Sequence, residues 1–370
     1  MLNYDYVIIG AGISGCCVAY ELSKYNDNVL LLDKESSVAS GASGAAGAFL
    51  SPLLGKPNPF KDLVTKSLDY STKFYKTHFP KYINNCGTTR IPQNKEDEKK
   101  FQEYTPFMDF DYEKEDGGYF FKIGSVVDSF NMCKSIVNGS QKLQTKFDYE
   151  VTDIIFKNEK WVINNDFSTT NVIFTTGSEV SLINQFYLKI RSVWGQRIEL
   201  STSSSFAHNY HKSCSISQSK ELDDGKYFVS VGATHHRNRE DIHNTEQNTQ
   251  ELLKNANEIK KLKDVKVLHH YIGARACSND YFPVVGTIID SKKTLQEFPY
   301  LVNGTNVEAK RFTRFKNAYI LTGVGGRGFV LAPYLANELV QNIMNEQELE
   351  KNITLDRLFK REVKRNRNKG

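Results

Sequence analysis

Arg275 stands in GARACSNDYFPVVG, residues 273–286, with small uncharged residues on its amino-terminal side, which raises the question of what a lone guanidinium holds there. A second arginine, Arg327, lies in GVGGRGFV, where Gly325, Gly326 and Gly328 leave it sterically open and Phe329 follows. Near the amino terminus, Gly10, Gly12 and Gly15 form G-x-G-x-x-G around Ile13 and Ser14, and Asp33 follows Gly10 by 23 residues. This spacing points to a dinucleotide pyrophosphate. The first glycine permits a tight turn, the second lets phosphate approach the backbone, and the third lets helix and strand pack closely. The phosphates then face a helix N-terminus, and the Asp33 carboxylate is placed to accept hydrogen bonds from an adenosine ribose.

Positioning these groups requires a β-α-β opening: a strand over residues 6–10, a helix over 13–25 and a strand over 28–33. Residues 40–60, SGASGAAGAFLSPLLGKPNPF, are too small and flexible for core, and their Gly and Ser can bring main-chain donors against another phosphate or a cofactor ring. A helix is expected over 61–79. A mixed stretch over 86–121 carries the run NKEDEKK, an exposed helix face. Residues 126–138 read as a helix and 147–176 as short strands ending in NVIFTTG, with Thr176 and Gly177. Residues 189–289 are strand-rich with one amphipathic helix around 245–259. The strand 317–322 runs into GVGGRGFVLAPYLANELVQNI, with Pro333 expected in the first helical turn. Two glycine-rich helix starts at opposite chain ends imply one large cofactor contacted twice. The second helix dipole could stabilise negative charge on its reduced ring.

The chain has 370 residues, 39% hydrophobic, 25% charged and 12% aromatic, within the ordinary globular range and against a disordered chain. No signal peptide and no apolar run long enough to span a bilayer is evident, so a cytoplasmic protein without a membrane contact is expected. Six scattered cysteines, two of them adjacent at Cys16 and Cys17, fit a reducing compartment. His235 with His236, and His269 with His270, lack metal-ligand spacing, so no metal is expected. KFYKTHFPKY, from Lys73, interleaves bases and aromatics but reads as a half-buried helix end. Residues 355–370 hold seven Lys or Arg against two Asp or Glu, which accounts for the whole net charge of +5. Leu355, Leu358, Phe359 and Val363 fall on one helical face, with Lys360, Arg361, Lys364 and Arg365 around it. Docking with a basic outer surface is expected, and those four basic residues are candidate RNA contacts.

The glycine fingerprint, Asp33, the small-residue loop, FTTG, GARACSNDYFPVVG and GVGGRG together resemble the D-amino-acid oxidase and glycine oxidase superfamily over nearly the whole chain. Within it the chain is similar to the C-terminal FAD-dependent oxidoreductase domain of the tRNA-modifying enzyme MnmC. That likeness is carried by GASGAAGAFLSPLL, WGQRIEL, VGATHHRNRED, TEQNTQELL, GVGGRGFVLAP and LDRLFKREVKR. The resemblance implies an α/β fold: a Rossmann-like FAD-binding domain over 1–80, 125–185 and 300–370, and a strand-rich antiparallel substrate domain over 86–124 and 186–299. It implies FAD contacts from Gly10, Gly12, Ile13, Ser14, Gly15, Asp33 and Lys34. Gly41, Ala42, Ser43, Ala46, Gly47, Ala48, Val151, Thr176, Gly177, Gly325, Gly326, Arg327, Gly328 and Phe329 complete that set.

It also implies that Arg275 grips a substrate carboxylate through two parallel hydrogen bonds, assisted by Arg327. Ala276 stands where such oxidases often carry proline, and Cys277 is read as a small thiol rather than a covalent flavin tether. The implied substrate is 5-carboxymethylaminomethyl(-2-thio)uridine at the tRNA wobble position, an N-substituted glycine. The implied products are the 5-aminomethyl nucleoside and glyoxylate, with molecular oxygen as electron acceptor. The fingerprint starts at residue 10, so this chain is expected to perform only the oxidative step, with a separate methyltransferase downstream. The alternatives are a free glycine, sarcosine or D-amino-acid oxidase, and a non-catalytic flavin-binding protein that docks tRNA.

Overall fold

The computed structural model describes residues 1–235 and 245–367. The first strand, Leu2–Ile9, ends in four consecutive buried positions, because its carboxyl half is covered on both faces of a sheet. It lies parallel to Val29–Leu32 on one side and to Phe167–Phe174 on the other, with Ile9 level with Leu32 and Phe174. Gln144–Lys146 and Arg314–Thr322 extend the parallel set. Lys160–Ile163, Ile154–Lys157 and Val284–Ile289 complete an eight-stranded sheet with antiparallel pairings. Helices Ile13–Ser23, Pro59–His78 and Gly328–Asn345 pack on one another, sharing the core of Ile8, Leu22, Leu68, Leu335 and Leu339. The shared register brings the carboxyl ends of the parallel strands to one level, the position where open α/β sheets bind ligands.

A second, nine-stranded sheet is built mainly from residues 88–121 and 191–277. Its longest pair, Arg191–Thr202 and Lys266–Cys277, is antiparallel and sets Val193 opposite Arg275. Val284–Ile289 lies in the stretch read from sequence as substrate-facing, yet it pairs with Arg314–Thr322 in the first sheet. Five of its six residues are buried, as in a strand covered on both faces.

Two local expectations are corrected. Val126 was expected in a helix but belongs to the strand Ser125–Val127, opposite Phe49 and Asn84. The helix starts only at Ser129, after Asp128 caps it by accepting from the Asn131 N–H at 3.2 Å. Pro333 lies inside Gly328–Asn345 rather than in its first turn. A proline there cannot donate to the Phe329 carbonyl, and the Tyr75 hydroxyl donates to it instead at 3.0 Å. Ser71 donates to the next carbonyl, Val330, at 2.7 Å, so packing against Pro59–His78 satisfies what the proline frees.

The NKEDEKK run forms the exposed helix Lys95–Tyr104, and the KFYKTHFPKY segment ends Pro59–His78 with Phe74, Tyr75 and Phe79 buried. The carboxyl-terminal helix, Asp356–Arg367, docks through buried Leu358, Phe359 and Val363, with Leu355 just before it. No helix among the described residues is long and apolar enough to cross a membrane, and none of the six cysteines is in a disulfide.

Candidate functional site

Where Leu2–Ile9 ends, Gly10 turns at φ +106° and Gly15 packs so tightly that a Cβ there would fall 1.8 Å from the Gly10 carbonyl oxygen. Gly15 is therefore a packing residue. It is the one predicted cofactor position that does not line the cavity of about 1330 Å³ opening over the strand ends. The Ile13 N–H, in the first turn of its helix, donates to the Ser43 hydroxyl at 2.9 Å, tying the small-residue loop to the glycine turn. Asp33 accepts from the Ala11 N–H at 2.5 Å and from the Glu35 N–H at 2.9 Å. These two bonds brace the turn, and a carboxylate has further lone pairs beyond them. Lys34 pairs with Glu179 at 2.9 Å, which raises its pKa. Thr176 and Gly177 face the same space. Gly177, at φ +65°, and Gly41 have nothing within 4 Å of where a Cβ would project, which leaves the cavity wall open.

The far wall comes from the second sheet. Strand alternation puts Gly273 and Arg275 on one face of Lys266–Cys277. At Gly273 a Cβ would meet Ala42 Cα at 2.9 Å, so only glycine lets this strand press on the small-residue loop. Two residues on, the Arg275 guanidinium enters the cavity between two glycines. A Cβ at Gly195 would stand 2.5 Å from its Nη1, and one at Gly326 would stand 3.5 Å from its Cδ. Its Nη1 donates to the Thr234 carbonyl at 3.2 Å, and burial lowers its pKa from the ordinary value. Arg327 lines the same cavity and reaches the Ser51 carbonyl at 3.5 Å, with burial pushing its pKa down to about 10. None of the ion pairs among the described residues involves Arg275 or Arg327. Two half-buried cations with no carboxylate partner among the described residues are costly unless a ligand supplies the negative charge.

The WGQRIEL motif acquires a meaning that pattern reading did not give it. Trp194 lines the cavity and Gly195 clears room for Arg275. The Gln196 N–H donates to the Thr234 hydroxyl at 2.9 Å. Arg197 donates to the Ala45 carbonyl at 3.1 Å, pairs with Glu199 at 2.6 Å and lies 3.9 Å over the Tyr271 ring. The motif thus fastens the second sheet to the small-residue loop. Arg90, on the strand Thr88–Arg90, also lines the cavity and was not singled out from sequence, because TTR carries no spacing signal.

The four basic residues of the carboxyl-terminal segment do not line the cavity. Arg361 bonds Asp280 at 3.2 Å, Arg365 pairs with Glu362 at 3.0 Å, Lys360 stands 5.7 Å from the centre of the Phe312 ring, and Lys364 is exposed. Asp280, held also by Arg357 at 3.0 Å, does line the cavity beside Tyr281, so this helix braces the cavity's edge. His235 lines the cavity, His269 and His270 are exposed on the second sheet, and His236 lies outside the described residues. Glu115, Asp116 and His208 bring ligand atoms within 4.8 Å of one another, but Lys260 pairs with Asp116 at 2.9 Å, and no metal is assigned there.

The bifunctional protein MnmC of Campylobacter jejuni subsp. jejuni serotype O:6, named for tRNA 5-methylaminomethyl-2-thiouridine biosynthesis, is 26% identical over 357 residues. That match covers 93% of this chain and 56% of the relative, and MnmC of Campylobacter jejuni strain RM1221 matches to the same extent. The chain therefore spans about half the length of these curated relatives. Among solved structures, glycine oxidase from Bacillus cereus ATCC 14579 superposes with a TM-score of 0.75 at 18% identity, covering 93% of this chain and 96% of that one. L-proline dehydrogenase from P. horikoshii gives 0.76 at 15% identity, covering 98% and 99%. These structural likenesses establish the fold, a D-amino-acid-oxidase-type mixed α/β architecture. Residues 5–342 match the family model DAO, FAD dependent oxidoreductase, so the chain belongs to that family and FAD is its cofactor.

Proposed function

We propose that the chain oxidises an N-substituted glycine, removing the carboxymethyl group of 5-carboxymethylaminomethyl(-2-thio)uridine at the tRNA wobble position. The observation that carries this reading is Arg275, a half-buried guanidinium with no carboxylate partner among the described residues, aimed between Gly195 and Gly326 into the cofactor cavity. Gly10, Gly12, Ile13 and Ser14 would hold the FAD phosphates, Asp33 and Val151 the adenosine end, and residues 41–48 with 325–329 the ring. FAD, when bound, takes up the hydride of the methylene between nitrogen and carboxylate. Arg275 holds the carboxylate so that this carbon is the one presented, and Arg327 adds positive charge on the same side. The donor nitrogen enters as the neutral amine and loses its proton as the imine forms. Water then adds to the imine carbon, and its collapse gives glyoxylate and the aminomethyl nucleoside. Molecular oxygen is the proposed final acceptor, leaving as hydrogen peroxide, and a separate methyltransferase would act on the product.

The similarity to MnmC supports tRNA as the partner. Against it, Arg361 and Arg365 are engaged within the chain, which favours a free glycine, sarcosine or D-amino-acid oxidase as the second reading. The two are separated by incubating FAD-loaded protein with tRNA carrying the carboxymethylaminomethyl group and resolving the nucleosides by mass spectrometry. Conversion to the aminomethyl nucleoside supports the first reading. An unchanged nucleoside profile, with peroxide released from free amino acids, sinks it.

A further inference from the structure

Arg90 belongs to the second sheet, where its strand runs parallel to Asn209–His211 with Arg90 opposite His211. Its side chain lines the same cavity as Arg275 and Arg327. Among the described residues the Nη1 group bonds only neutral oxygens, the Ser51 hydroxyl at 3.3 Å and the Pro52 carbonyl at 3.2 Å, and the Nε is fully buried with no hydrogen-bond partner. Arg327 reaches the carbonyl of the same Ser51, so two guanidinium groups converge on one residue. Burial, and then the Arg327 charge, push the Arg90 pKa down to about 9, while Asp97 opposes them. A buried donor left unbonded costs free energy, and like charges side by side cost more. Fixing such a pair in a ligand cavity is stable when an acceptor oxygen arrives between them.

The turn that carries Arg327 links this pair to the proposed carboxylate anchor, since Gly326 lies against Arg275. A substrate held at Arg275 by its carboxylate therefore has a second cationic wall to meet with the other arm of its amine. We propose that Arg90, backed by Arg327, forms a subsite that reads an oxygen acceptor on the substituent carried by the amine nitrogen. This rests on the N-substituted-glycine reading above. In the nucleoside the acceptor is the pyrimidine carbonyl beside the substituted ring carbon. In a dicarboxylic amine it is the second carboxylate. Glycine and N-methylglycine offer none. Arg90 is thus a specificity-determining residue, and the chemistry it selects is a carbonyl or carboxylate oxygen on the second arm.

The test compares FAD-loaded wild type, Arg90→Lys and Arg90→Met in anaerobic flavin reduction by N-methylglycine, iminodiacetate and free 5-carboxymethylaminomethyluridine. Wild type is expected to favour at least one acceptor-bearing donor by about tenfold or more in kcat/KM over N-methylglycine. Arg90→Met is expected to lose most of that preference, and Arg90→Lys, which keeps charge but not the fork, to retain part of it. Iminodiacetate and the nucleoside separate a carboxylate ligand from a carbonyl ligand. A wild type without the preference overturns the proposal, as does an Arg90→Met that slows every donor by one factor, the mark of a structural role. If wild type reduces its flavin with none of these donors, the amine-oxidation reading itself fails. The subsite is then judged by equilibrium perturbation of the flavin spectrum. Tighter binding of iminodiacetate than of N-methylglycine, lost in Arg90→Met, supports it, and equal or absent binding of the two overturns it. Should Arg90→Met fail to retain flavin, Arg90→Lys decides: a preference reduced below that of wild type supports the subsite, and an unchanged one overturns it.

Discussion

Two groups of arginines in this protein have opposite surroundings. Arg357, Arg361 and Arg365, on the carboxyl-terminal helix, all meet carboxylates, the first two sharing Asp280 and the third taking Glu362. Arg90, Arg275 and Arg327 line the cavity and, among the described residues, bond only neutral oxygens. The same side chain serves structure where its charge is answered inside the chain, and is proposed above to serve recognition where it is not. Composition does not distinguish the groups, because the difference lies in what the fold brings opposite each guanidinium. The contrast also demotes the basic tail relative to the cavity arginines, of which Arg275 and Arg327 stood out in sequence and Arg90 did not.

The contrast is broken most severely at Arg275. If its charge is reserved for substrate, Arg275→Met leaves flavin binding intact while kcat/KM for an N-substituted glycine falls by roughly two to three orders of magnitude. That is the equivalent of about 3–4 kcal/mol for leaving a charged partner unmatched. Steady-state kinetics beside a flavin absorbance scan checks this, and a loss under about threefold would remove Arg275 from the site.

The structural arginines predict a stability effect instead. Asp280→Ala should lower unfolding stability by about 1–3 kcal/mol in a denaturant titration, because Arg357 and Arg361 lose their shared acceptor. Burial alone would raise the Asp280 pKa, but the Arg357 hydrogen bonds hold it below the usual carboxylate value. Its contribution is therefore complete above about pH 4 and declines as pH falls through the depressed pKa.

A smaller effect sharpens the cavity side. His211, bonded to the Ser215 hydroxyl at 2.7 Å, has its pKa held well below the ordinary value by burial and then by Arg90 and Arg327. The unfolded chain takes up that proton first, so stability is complete above about pH 6.5 and falls as pH drops below it. Thermal unfolding across that range, flattened in His211→Gln, is the measurement. The smallest effect is expected at Lys360 and Lys364, the exposed lysines of the tail. Converting both to alanine should change turnover of free N-methylglycine by less than about twofold and reduce the salt dependence of tRNA binding by roughly one to two in slope. An unaltered slope would remove these lysines from any RNA contact.

The legible part of the fold was its local part. G-x-G-x-x-G with its flanking apolar strands announced the turn, and the structure adds that Gly15 serves packing alone. The helix at Lys95–Tyr104 and the docked apolar face of Asp356–Arg367 follow from charge and spacing. Val126 misled because a three-residue strand is too short to show a period and is held by its neighbours at Phe49 and Asn84. Pro333 misled because its tolerance depends on Tyr75, 258 positions away in the chain. Arg90 was silent for a similar reason, since nothing in TTRIP shows that Ser51 and Arg327 will stand beside it.

Sequence alone determined the dinucleotide turn, the family likeness and the presence of Arg275 and Arg327, because each is written in residues close together along the chain. Only the tertiary structure decided which arginines meet carboxylates and which face the cavity. That outcome depends on strand register within the second sheet, on glycines at Gly195, Gly273 and Gly326 that let distant segments touch, and on a cavity lined by residues from many separate segments.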